Sequence, residues 1–230
     1  GTGGGPKYGN ILFQPMTGDL NLSDYSSARS NERFGLGLYE VSLSKYNVGV
    51  RLTASAKAGF HEYTFPQSES SKILIDAGSC LTLHVESQEL VASGVKILSN
   101  KEIEGYSTVK GGWNLGGPYT VYFYALLDTP ADEYTVWKGT SVQSGEQVDA
   151  TGTEKTGAYF GFHTTEGQKV RVKVGISFIS TEKAKANISE LPSWDFDEIR
   201  NAGIAQWKEV LNTVEVEGND NDKTIFYSAL

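Results

Sequence analysis

The chain holds one cysteine, Cys80, in 230 residues. A single thiol excludes an intramolecular disulfide and says little about compartment. Long apolar runs are missing too: no stretch approaches the ~20 residues that a membrane-spanning helix needs. No charged-then-apolar leader opens the chain. Positive charge is thin and scattered. Against 28 aspartates and glutamates stand 20 lysines and arginines, a net charge of −8 with no basic stripe, which disfavours nucleic acid as a partner. Histidine is scarce as well. His61, His84 and His163 lie 23 or more residues apart, and none pairs locally with Cys80 or a serine. Gly-x-Ser-x-Gly, His-x-x-x-His and paired cysteines are absent, so neither a nucleophilic triad nor a zinc site is written locally. Cys80 sits in the apolar-rich stretch Ile73–Leu83 and reads as a small core residue.

What remains is ordinary globular composition, 39% hydrophobic and 21% charged. A chain of this length buries about 70% or more of its unfolded surface, enough for a core without staples. From Asn10 to about Ser180 the pattern is β. Alternating or β-branched runs recur, among them Val48–Ala54, Gly59–Phe65, Lys72–Asp76, Leu81–Val85, Leu90–Leu98, Tyr119–Ala125, Tyr159–Thr164 and Lys169–Phe178. Turn signals separate them at Pro66, Asn100, Gly116-Gly117-Pro118 and Glu166-Gly167. Many strands without crossover helices mean an antiparallel sandwich or barrel. About a dozen strands suit two large packed sheets.

After Ser180 the period changes. Thr181 to Glu190 reads as a short helix capped by Ser180, ended by Pro192. Asp195 starts a longer helix, with Glu198 completing a capping box. Phe196, Ile199, Gly203, Trp207, Val210, Leu211 and Val214 form one apolar stripe. Gly218-Asn219-Asp220 breaks the chain, and a further helix begins near Asp222. The domain reading is a sandwich over 1–180, a helical linker over 181–218 and the start of another domain over 219–230. A glycine-rich opening without methionine, and helices whose apolar face has no partner, lead to the expectation of a fragment.

Glycoside hydrolysis needs paired carboxylates. Asp132-Glu133, Asp195/Asp197/Glu198 and Glu215/Glu217/Asp220/Asp222 are the candidates. Asp195 and Glu198 are more simply a helix cap, where carboxylates suit the macrodipole. The last group brackets a turn; it could hold a hard cation but reads first as a solvated loop. Among the aromatics, Trp113 stands on a loop amid four glycines and a proline, the setting of a site candidate as much as of a loop anchor. Trp194 and Trp207 read as core, and Trp137 is not placed.

Several stretches together resemble glycoside hydrolase family 92. Gly1-Thr2-Gly3-Gly4, with Tyr8-Gly-Asn-Ile-Leu-Phe-Gln-Pro15, is similar to the family's Ser-Gly-Thr-Gly…Tyr-Gly-Asp-Ile-Leu-Phe-x-Pro segment. Asn10 stands for the usual Asp, and Gly4 stands where a Cys is common. Gly37–Leu43 resembles a family strand. Leu52-Thr-Ala-Ser followed by Gly59-Phe-His-Glu-Tyr-Thr-Phe-Pro66 is the most specific match. Gly175-Ile-Ser-Phe-Ile-Ser, with Ala184, Ala186, Asn187 and Trp194-Asp-Phe-Asp, continues it. The matches run from Gly1 to Leu230. The family's usual histidine-rich stretch before the Ser-Gly-Thr-Gly segment is missing here.

The resemblance implies a large galactose-mutarotase-like β-sandwich packed through a helical linker onto an α/α-toroid. It implies exo-hydrolysis of α-mannosides with inversion, and a Ca²⁺ ion that orients the substrate. The acid, the base and most calcium ligands belong to the toroid, so no residue of this chain is expected to be catalytic or to bind the metal. Gly1, Thr2, Gly3 and Trp113 are the residues expected at the rim of the substrate site. Mannose-containing glycans, of which α-1,2-linked ones are the expected substrates, and the C-terminal catalytic domain are the implied partners. The implied location is periplasmic or outside the cell. Two other readings stand beside this: a free-standing carbohydrate-binding module with Trp113 as stacking platform, and an interaction domain that docks a partner through its C-terminal helices.

Overall fold

The structure, a computed structural model, describes residues 8–82, 87–112 and 117–229. Its strands are β1 (Leu12–Thr17), β2 (Arg29–Gly35), β3 (Leu38–Leu43), β4 (Val48–Ala54), β5 (Ala58–Phe65), β6 (Ser68–Asp76), β7 (Gln88–Ser99), β8 (Glu102–Gly111), β9 (Tyr119–Leu127), β10 (Glu133–Lys138), β11 (Ser141–Gln143), β12 (Gln147–Thr151), β13 (Thr156–Thr164) and β14 (Gln168–Ser177). They form a smaller sheet, ordered β1-β6-β13-β10-β11, and a larger one, ordered β12-β7-β8-β9-β14-β5-β4-β3-β2. Neighbouring strands are antiparallel throughout. The two sheets close on one core, to which Met16, Ile73 and Phe160 of the smaller and Val50, Phe65 and Phe123 of the larger contribute. This is the antiparallel sandwich that the alternation predicts. Trp137 belongs to the same core. The expected strand at Leu81–Val85 is not formed at Leu81 and Thr82, and its remainder lies outside the described residues.

Helix α1 (Thr181–Asn187) starts at Ser180, whose hydroxyl accepts from the Lys183 amide at 3.2 Å. It packs on β14 and β9. Gly175 permits that approach, because a Cβ there would stand 2.0 Å from the Ala184 carbonyl oxygen. After a 3₁₀ turn (Ile188–Glu190) comes α2 (Phe196–Leu211). Asp195 caps it by accepting from the Glu198 amide at 2.9 Å. The return half of the expected capping box is replaced: the Asp195 amide donates to the Ser193 hydroxyl at 3.0 Å. Helix α3 (Asp220–Ala229) begins two residues before Asp222, because Asn219 accepts from the Asp222 amide at 3.0 Å.

The start of α2 is fixed twice over. Phe196 and Ile199 bury against Phe60 and Ala58 on the outer face of the larger sheet, with Trp194 half-buried beside them. A charge network reinforces the contact. Glu62 is fully buried and accepts from Arg51 (3.1 Å), Lys169 (2.9 Å) and Arg171 (2.8 Å). Arg51 also bridges to Asp197 of α2 at 2.7 Å and stacks 4.0 Å over the Phe196 ring. Burial alone would raise the Glu62 carboxyl, but the hydrogen bonds from Lys169, Arg171 and Arg51 and the charge of Lys169 hold it below the usual range.

The expectation that Trp207 is core is corrected. The ring is 56% exposed and Val210 is 65% exposed. Helix α2 packs on β4 and β5 through its first turns. Among the described residues, the later part of the stripe at Trp207 and Val210 then overhangs a groove at Ala54, Ser55 and Ala56.

Candidate functional site at one end of the sandwich

Gly1, Thr2, Gly3 and Trp113, the residues expected at a substrate rim, lie outside the described residues, as does His84. The described residues build a junction centred on Tyr119, the first residue of β9. Its hydroxyl donates to Asn10 Oδ1 at 3.0 Å. It accepts from Gln88 Nε2 at 2.7 Å and from the Tyr8 amide at 3.2 Å. One phenol thus uses its donor and two acceptor positions to join the segment ahead of β1 to the starts of β7 and β9. Gln88 extends the junction, because its side-chain oxygen accepts from the Leu81 amide at 3.0 Å and its own amide donates to the Leu81 carbonyl at 2.7 Å. Gly112, at the end of β8, donates to the Ser87 carbonyl at 3.2 Å.

Above the junction lies an aromatic patch. Tyr8 packs edge-on against Tyr119 (5.4 Å between centroids) and Phe178 (5.8 Å). Tyr8 stays 65% exposed and Phe178 58%. The backbone beneath it is strained: Tyr8 has φ 61° and Ile11 φ 63°. A β-branched residue in the left-handed region is an outlier costing on the order of 1–3 kcal/mol, kept only where its surroundings fix it.

Beside the junction opens a cleft of about 280 Å³ between β1 and the ends of β5 and β14. Asn10, Phe13, Ser55, Lys57, His61 and Ile176 line it. His61 Nδ1 is 2.7 Å from the Tyr63 hydroxyl, and its ring meets Phe13 edge-on at 5.4 Å. Burial lowers the imidazole to about 4, so it is neutral at ordinary pH. Its remaining nitrogen is a hydrogen-bonding group without a charge. Asn10 Nδ2 is buried with no partner among the described residues, a donor whose isolation costs about 1–3 kcal/mol and which a ligand hydroxyl or water would satisfy. None of the described residues that line it is a carboxylate. The cleft can bind and orient a polar ligand, but it holds no acid and base pair of the kind glycoside hydrolysis requires.

The carboxylate candidates are dispersed elsewhere. Asp132 accepts from His163, from its amide at 2.8 Å and from Nδ1 at 2.9 Å, on an exposed surface. That hydrogen bond raises the His163 imidazole. Asp195 is a helix cap and Asp197 an ion-pair partner, while Asp222 is held by Asn219. Cys80 is half-buried and burial pushes its thiol up, the opposite of an activated nucleophile. Among the described residues no three His, Cys, Asp or Glu side chains converge as a metal site. Sequence reasoning missed Tyr119 and Gln88 as a junction. It noted Asn10 only as a departure from a motif and His61 only as part of a strand.

The Glycosyl hydrolase family 92 N-terminal domain model matches residues 1–177. The chain belongs to glycoside hydrolase family 92. The model of the family 92 catalytic domain matches residues 183–230, the stretch that forms α1 to α3. Comparison with curated proteins gives no match. Among solved structures, the chain is similar to the family GH92 α-mannosidase BT3965 from Bacteroides thetaiotaomicron. The identity is 27% and the TM-score 0.82, over 96% of this chain and 31% of that one. The same mannosidase in complex with mannoimidazole matches at 27% identity and TM-score 0.81, over 92% and 29%. The family GH92 inverting mannosidase BT2199 from B. thetaiotaomicron VPI-5482 shares the fold at 23% identity and TM-score 0.74, over 91% and 27%. The family 92 chain thus spans less than a third of the length of these relatives. Among its described residues no helix is long and apolar enough to cross a membrane.

Proposed function

We propose that this chain forms the N-terminal wall of the substrate site of an α-mannosidase, with the acid, the base and the Ca²⁺ ligands supplied by the remainder of a catalytic domain whose first part is residues 183–230 and which covers the exposed faces of α2 and α3. The observation that carries the reading is the match of residues 183–230 to the catalytic-domain model, over helices whose apolar side chains Trp207, Val210 and Ile225 stand exposed. Such side chains mark a surface that is covered by a partner. The carboxylate-free cleft supports the division of labour, since it offers neutral donors and aromatic edges that suit a sugar and leaves proton transfer to other residues. In this reading Asn10, His61 and the Tyr8–Phe178 patch, together with Gly1, Thr2, Gly3 and Trp113, face a terminal mannose of a glycan. The substrate class is α-linked mannosides, α-1,2 among them, cleaved with inversion. The enzyme works in the periplasm or outside the cell.

The test is mannose release from α-1,2-mannobiose, with Ca²⁺ and with a chelator, by the 230-residue chain and by a chain extended to the length of its relatives. Calcium-dependent release by the extended chain alone is the expected result. Release by the 230 residues themselves overturns the division of labour.

A further inference from the structure

Strand β1 separates two concavities, because alternate residues of a strand face opposite ways. Phe13 lines the cleft described above, while Leu12 and Gln14 line a second one of about 660 Å³. The second cleft lies between the segment 22–26, the β10–β11 turn at Gly139 and Thr140, and the β12–β13 turn at Thr153 to Lys155. It shares no residue with the junction at Tyr119.

Its floor is built around a fully buried carboxylate. Asp76 accepts from the Tyr25 hydroxyl at 2.6 Å, from Lys155 Nζ at 2.8 Å and from the Gly78 amide at 2.9 Å. Lys155 also donates to the Tyr25 oxygen at 3.2 Å. Two of the three ammonium protons thus have partners among the described residues, and the half-exposed side chain offers the third to the cleft. The frame is set in advance. The Gly139 amide donates to the Lys155 carbonyl at 2.9 Å, tying the two turns together. At Gly78 a Cβ would stand 2.8 Å from Lys155 Cα, so only glycine lets the lysine backbone come this close.

Charge defines what the cleft takes. Every acid around it has its own cation: Asp76 has Lys155, Asp24 has Lys45 at 3.5 Å, and Glu154 has Lys138 at 3.2 Å. A site balanced in this way favours neither an anion nor a cation. What it presents is hydroxyls (Ser23, Ser26, Thr140, Thr153), one ammonium, the ion-paired carboxylates of Asp24 and Glu154, and the apolar flanks of Leu12 and Leu22 beside the Tyr25 ring. A ligand that matches is uncharged and rich in hydroxyls, with an apolar face. Its size lies within the range of small-molecule sites.

We propose that this cleft is a second saccharide site, binding an uncharged oligosaccharide away from the bond that is cut. The proposal goes beyond the function proposed above and does not depend on it, because binding here needs no catalytic domain. The test is saturation-transfer NMR and titration calorimetry on the 230-residue chain with α-mannobiose, α-mannotriose and cellobiose as probes. At least one probe is expected to bind. Thr153→Arg and Thr140→Arg, at exposed turn positions that leave the core alone, are expected to weaken it about tenfold or more, as is Lys155→Met, each removing or blocking polar contacts. Tyr119→Phe at the junction is expected to leave this binding unchanged. Should Lys155→Met fail to fold by its melting curve, the two arginine variants decide. Absence of binding by all three probes overturns the proposal. So does binding that survives Thr153→Arg and Thr140→Arg; its loss in Tyr119→Phe would then place the sugar at the junction instead. Mannose release by the extended chain is scored separately, so a failed cleft and a failed catalytic reading give different results.

Discussion

The two halves of α2 share one apolar stripe and have opposite surroundings. Phe196 and Ile199 are buried in the first turn, and Arg51 ties that turn to the sheet through Asp197 and Glu62. Three turns later Trp207 and Val210 project into solvent. Periodicity reports only that a face is apolar; what covers it depends on where the helix lies on the sandwich. The first half is packed on the sandwich, and the second stands exposed among the described residues.

Substitutions separate the halves. Phe196→Ala empties a buried aromatic site and is expected to cost about 3–4 kcal/mol, read as a lowered midpoint in urea. Acid loosens the same region more gradually. His61, on the strand that carries Phe60 and Glu62, binds its proton near 6.5 when unfolded and near 4 when folded. The unfolded chain therefore holds more protons between those values, and stability falls as pH drops from 6.5 towards 4. The loss is on the order of 3 kcal/mol. Glu62 adds to it below the ordinary carboxylate range, since its lowered folded value gives stability that is present above that range and lost beneath it. Urea midpoints across pH should show this slope, and His61→Phe should flatten the part between 6.5 and 4. The smallest effect is at the far end of the helix. Trp207→Ser is expected to change the stability of the 230-residue chain by about 0.5 kcal/mol or less, yet to lower mannose release by the extended chain. A large destabilisation would mean that the ring is already packed.

Strands with clear alternation were legible, and β4 matches its expected bounds residue for residue. Strand β2, Arg-Ser-Asn-Glu-Arg-Phe-Gly, was not. It is an edge strand exposed along its whole length, so neither face needs apolar residues and no period is written. In β8 the inward positions include Gly105 and Ser107, too small to stand out as an apolar row. Helix starts were readable because Ser180 and Asp195 cap locally. Asn219 does so three residues ahead of the expected start, so that α3 begins at Asp220. The junction was not readable. It joins Tyr8 and Asn10 to Tyr119 across 111 and 109 residues, and no local pattern announces a partner so far away. The same holds for Lys155 and Asp76, which are 79 residues apart.

Strand β14 lies between β9 and β5 and pairs with both. Without it the larger sheet is two separate ribbons, β12-β7-β8-β9 and β5-β4-β3-β2. During synthesis, at about 5–20 residues per second, both ribbons emerge first and wait with bare inner edges. The sandwich closes only when residue 177 is available, and these long-range pairings make the closing step slow. A ribosome pause ahead of β14 would hold the chain at its most aggregation-prone stage. A chaperone that shields the edges of β5 and β9 would act at that point.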